Sequence, residues 1–152
     1  MTTSMNEINT LIRAEAERVE KLIIVTLSEL GDKCVVEAKE RPQESSWFDQ
    51  SGNLRSSIGY VIVHEGKIIQ YSEFNQVKQG TEGVKEGKEL AEELASKFST
   101  GYALIVVAGM NYAERVEALD NKVVLASAEL FARQQLPSMM FKLKTQIMRI
   151  AA

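Results

Sequence analysis

The sequence predicts an α+β domain. Three observations predict it: a long N-terminal stretch of helical periodicity, two adjacent β-rich runs across a short turn, and two later helical stretches separated by an unbroken apolar run. The chain has 152 residues, 45% of them hydrophobic and 26% charged, enough apolar material for one compact core. Residues 1–152 are therefore read as a single domain.

The elements follow in order. Over residues 6–41, Ile8, Ile12, Val19, Leu22 or Ile23, Leu27, Leu30, Cys34 and Ala38 recur mostly at steps of three, four and seven, which predicts a long amphipathic helix. Gly31 and Asp32 interrupt its second half and predict a bend or brief break, since glycine costs about 1 kcal/mol relative to alanine in a helix. Pro42 ends it by pushing Arg41 out of helical geometry. Residues 43–52 are polar and loop-like apart from Trp47 and Phe48, of which at least one should find a pocket. After a short turn, residues 59–64 and 67–71 read as a β-hairpin across Glu65 and Gly66.

Residues 84–98 place Val84, Leu90 or Ala91, Leu94, Ala95 and Phe98 opposite a charged face, which predicts a second helix. Gly80, Gly83 and Gly87 read as a flexible loop leading into it. Residues 102–108 run without polar alternation, so that strand is expected in the centre of the sheet. Residues 111–118 suggest one or two helical turns, and residues 122–125 a short edge strand. Ser127 followed by Glu129 marks the start of a last helix, which Pro137 should kink or divide near Leu136. The fold expected is thus two long helices and a shorter one packed on a small, mainly antiparallel sheet.

Composition excludes several function classes. A net charge of -3 argues against a protein that coats nucleic acid indiscriminately. A single cysteine, Cys34, excludes an internal disulfide and cysteine-cluster metal sites, and a single histidine, His64, excludes multi-histidine sites. No apolar run reaches the ~20 residues of a membrane-spanning helix, and residues 1–13 lack the pattern of a secretory signal. Cys34 falls on the apolar stripe of the first helix and reads as a packed small hydrophobe. His64 lies at a strand end with no orienting partner in sequence, so it reads as solvated or locally bonded rather than as a general base. The glycines at 80, 83 and 87 lack the strand and the Lys-Ser/Thr pair of a phosphate cradle. No catalytic residue, metal or cofactor is predicted.

From Leu130 onward the only charges are Arg133, Lys142, Lys144 and Arg149, all positive. Leu136, Met140, Leu143, Ile147 and Ile150 are spaced four, three, four and three, the seam of a helix that packs on a partner helix. Two readings stay open. The seam packs on the first helix, with the cations favouring the helix C-terminus, or it meets a neighbouring subunit or an anionic surface.

The segment Trp47-Phe48-Asp49-Gln50-Ser51-Gly52-Asn53-Leu54-Arg55-Ser56-Ser57-Ile58 lies between the long helix and the hairpin. With Asn111-Tyr112-Ala113-Glu114-Arg115-Val116-Glu117 after the apolar strand, it resembles the small head-to-tail joining or tail-completion proteins of tailed bacteriophages. The matching positions are Ser51, Gly52, Leu54, Arg55, Ser57 and Ile58, then Tyr112, Ala113, Val116 and Glu117, and the order of elements matches over about the whole chain. The chain departs from the pattern where Ala118-Leu119-Asp120 replaces a common glycine, and in the length of its middle helix.

The resemblance implies a virion structural protein of the neck, assembled in the host cytoplasm as a ring of identical subunits between the portal side of the head and the tail. Its partners would be its own copies and neighbouring neck, portal-side or tail proteins, with no membrane; non-specific DNA contact through the basic C-terminal residues stays open. The interface residues expected are Trp47, Leu54, Arg55, Ile58, Tyr112 and Glu117 from the motifs, and Met140, Leu143 and Ile147 from the seam. Arg55 serves equally as a local ion-pair partner of Asp49 or Glu117. Two other classes compete: an enzyme or small-molecule binder with a pocket between sheet and middle helix edged by His64, Tyr60 or Tyr71, and a monomeric adaptor for another protein.

Overall fold

The computed structural model describes residues 4–39, 56–74, 81–109 and 125–149. Helix α1 spans Met5–Lys39. A reciprocal cap starts it: the Glu7 N–H donates to Ser4 Oγ at 3.2 Å and the Ser4 N–H donates to Glu7 Oε2 at 3.1 Å. The expected break at Gly31 is not found: the helix runs unbroken through it. Glycine stands there for space. A Cβ at Gly31 would lie 2.7 Å from Cγ of the Tyr60 ring, so the missing side chain lets α1 lie directly on the sheet. Arg41 and Pro42, where the helix was expected to end, lie outside the described residues.

The hairpin forms as expected, with β1 at Ile58–His64 and β2 at Lys67–Tyr71. Glu65 and Gly66 both have positive φ, 52° and 80°, the requirement of a two-residue turn that matches strand twist. The register shifts between Ile62 and Val63, so Val63 faces Ile68 while Ile62 faces Gln70. Strand β3, Tyr102–Ala108, pairs antiparallel with β1 over its whole length. Among the described residues the order is β2-β1-β3, which places residues 102–108 at an edge rather than in the expected central position. The apolar run in β3 has another cause: helices cover both faces of the sheet, so even an edge strand lacks a water-facing side.

Helix α2, Thr81–Ala95, begins earlier and ends earlier than its periodicity suggested. Gly83 and Gly87 are not a flexible loop but buried turns of this helix, on one stripe with Ala91 and Ala95. The small residues bring α2 close to the backbone of the sheet. A Cβ at Gly87 would lie 2.5 Å from the Ser57 carbonyl oxygen. Phe98, expected on the apolar face, lies past the helix end and is exposed.

Helix α3, Ala126–Met148, starts at Leu125, which makes no side-chain cap. Ser127 lies inside the first turn rather than capping it, and its Oγ is buried without a hydrogen-bond partner among the described residues. The helix is not divided at Pro137. Proline removes the bond to the Arg133 carbonyl, and both residues lie on the exposed side. The turns expected at residues 111–118 and most of the strand expected at 122–125 lie outside the described residues.

Two apolar layers result. Leu30, Cys34, Ala38, Ile58 and Ala128 join α1 and α3 to one face of the sheet. Val61, Val63, Phe74, Ala91, Ile105 and Val107 join α2 to the other. Gly87→Ala should destabilise the domain by about 1–3 kcal/mol despite alanine's better helix propensity, because backbone rather than a flexible side chain blocks the new methyl. Urea unfolding measures this, and an unchanged midpoint would contradict it.

Candidate assembly surface

Helices α1 and α3 run antiparallel, since Cys34 Sγ meets the Ala128 carbonyl at one end while Arg18 meets the last turn of α3 at the other. Two donors of the Arg18 guanidinium are spent on α3: Nη1 donates to the Gln146 carbonyl at 3.2 Å and Nη2 to the Ile147 carbonyl at 2.8 Å. Both carbonyls lie in the last turn of α3, at the negative end of its dipole, and the Gln146 carbonyl also accepts from the Arg149 N–H at 3.3 Å. Glu15, one turn before, accepts from Arg18 Nε at 3.0 Å and pairs with Nη2. The hydrogen bond and charge between them lower the Glu15 pKa and raise that of Arg18.

Before Arg18, α1 has no cover among the described residues, and residues 4–17 are all exposed. Met5, Ile8, Leu11 and Ile12 continue the stripe that packs on α3 further along, yet Leu11 keeps 66% of its surface in water and Ile12 60%. The outer side of α3 presents a second apolar surface near the same end. Met140, Phe141, Ile147 and Met148 line a shallow cavity of about 410 Å³ rimmed by Lys144. Phe141 is 74% exposed there. Between α1 and α3 runs an open groove of about 530 Å³ floored by Leu22, Val25, Met139 and Leu143. Arg18, Lys21, Lys33 and Lys142 line it against a single acid, Glu29, which pairs with Lys33 at 3.7 Å.

Of the interface residues expected from sequence, Trp47, Leu54, Arg55, Tyr112 and Glu117 lie outside the described residues. Ile58 is fully buried and Leu143 nearly so, each within the chain's own core. Ile147 is half-buried and Met140 is 48% exposed. The seam therefore splits, with Leu143 turned towards α1 and Met140 towards water. Arg18, Leu11 and Phe141 were not singled out from sequence. The Glu15–Arg18 spacing was a local signal, but the reach of Arg18 to α3 leaves none.

The other candidate chemistry is packed differently from the expectation of a pocket between sheet and middle helix. That space is filled by Val61, Val63, Phe74, Ala91 and Ile105. His64 stacks on Tyr102 with ring centroids 4.1 Å apart and planes 8° from parallel, and lies 3.7 Å from Glu65. Tyr60 faces α1 instead. Burial, then the neighbouring Asp32, raises its phenol pKa, and nearby Gln70 donates to Ser28 Oγ at 2.6 Å. Tyr71 donates to Glu92 on α2 at 3.3 Å. No helix among the described residues is long and apolar enough to cross a membrane. Compared with protein-family models, curated proteins and solved structures, the chain matches none.

Arg18→Ala should speed amide exchange at Gln146, Ile147 and Met148 while leaving the α2 side unchanged, as hydrogen exchange by NMR would read. The pairing should also weaken in acid. The Glu15 pKa is depressed in the fold, so its contribution is present above the ordinary carboxylate range and is lost as pH falls through the depressed value. Protection factors at those same amides, corrected for the intrinsic pH dependence of exchange, that stay constant down to strongly acidic pH would contradict this. Cys34 is 2% exposed, and burial and then the charge of Glu37 push its thiol pKa up. A thiol reagent should therefore label it only on unfolding. Stoichiometric labelling within seconds in native buffer would contradict that.

Proposed function

We propose that the chain is a structural subunit of the head-to-tail connection of a tailed bacteriophage, acting through surfaces it offers to copies of itself and to neighbouring virion proteins. The observation that carries this reading is the pair of exposed apolar surfaces at one end of the molecule, the first turns of α1 and the outer side of α3. Surfaces of this kind on a small soluble domain mark interaction sites. The Trp47–Ile58 and Tyr112–Glu117 segments and the order of elements supply the resemblance that selects the virion neck among assembling proteins.

Such a subunit works by shape. A helix projecting beyond its own domain and a surface able to receive one permit head-to-tail contact, and a head-to-tail contact closes into a ring when its rotation divides a full turn. Weak contacts repeated around a ring then add. Direct imaging tests the reading. A three-dimensional reconstruction of phage particles carrying a tagged copy of this chain should place the tag in a ring at the junction of head and tail. Tag density elsewhere in the particle, or particles that form normally without the chain, would overturn it.

A further inference from the structure

We propose that the first turns of α1 are a docking arm, and that the arm of one copy lies in the α3 groove lined by Met140, Phe141, Ile147 and Met148 of a second copy. The inference rests on the reading of the chain as an assembling subunit and names the surfaces that meet.

The arm and the groove match in chemistry. The arm offers Met5, Ile8, Leu11 and Ile12 within one stripe, and the groove offers two methionines, an isoleucine and a phenylalanine. Methionine side chains adapt to an incoming helix without a fixed shape. The charges are opposite: residues 5–17 carry Glu7, Glu15 and Glu17 against Arg13, while Lys142, Lys144 and Arg149 surround the end of α3 with no acid after Glu129. A second copy therefore brings the acidic, apolar helix that this basic, apolar groove fits. Within one molecule the same pairing is impossible, because α1 already runs past the α3 terminus held by Arg18.

Two double variants separate the surfaces: Leu11→Glu with Ile12→Glu on the arm, and Phe141→Glu with Met148→Glu in the groove. All four residues are largely exposed, so the monomer should keep its circular dichroism and melting temperature. A milder pair, Leu11→Ser and Phe141→Ser, serves if either double variant fails to fold. By light scattering after size exclusion, the wild-type chain should associate, and each variant alone should run at 17.0 kDa.

The equimolar mixture should form a complex of two chains, because one intact arm then meets one intact groove. A wild-type dimer lost in both variants and restored in the mixture would keep the docking and remove the ring. Wild-type rings that survive either double variant would overturn the docking and leave the ring. A mixture that stays monomeric, or a wild-type chain monomeric at all concentrations, would overturn the docking outright.

Discussion

Two antiparallel helices of unequal length cannot cover each other, and the rest of the surface depends on this mismatch. Helix α1 has 35 residues and α3 has 23. Their pairing is fixed at one end by the apolar contact of Cys34 and Ala38 with the start of α3, and at the other by the Arg18 guanidinium on its last carbonyls. The excess length of α1 therefore emerges on one side only. It does so with its apolar stripe intact, on the side where α3 would have continued. Isolated helices of that length are marginal in water, so the projecting turns owe their helicity to the packed helix that continues them and to the Ser4–Glu7 cap.

The opposite face of the sheet obeys a different constraint. There α2 approaches on glycine and alanine, so that the helix backbone comes close to the Ser57 carbonyl and the Phe74 ring fills the remaining space. Close packing of this sort resists change of volume and leaves little room for a ligand. The molecule thus has a tightly closed side and a side whose longest helix projects uncovered among the described residues.

The long first helix, the hairpin and the apolar strand were legible in the sequence because each has a strong local period or a turn with definite demands. The place of β3 at an edge was not, since an apolar run records cover by helices on both faces and says nothing about neighbours in the sheet. Glycine misled twice, at Gly31 and at Gly83 with Gly87. Each looked like a break, and each is a contact too close for a side chain or a turn of buried helix. The interface was only partly legible for a related reason. The stripe Ile8, Ile12, Val19, Leu22 has one period along its whole length, and no local signal marks Arg18 as the point where the partner helix ends. In the seam, spacing grouped Met140 with Leu143, whereas the structure turns one outward and the other inward.

The central claim is that α1 is left unfinished so that another molecule can finish it. Hydrogen–deuterium exchange at the backbone amides of residues 5–17, compared between the dilute chain and the assembled particle, tests this most directly. Assembly should slow exchange across those turns by orders of magnitude, with little change in α2. Equal exchange in both states would mean that the projecting turns stay in water throughout, and would contradict the account.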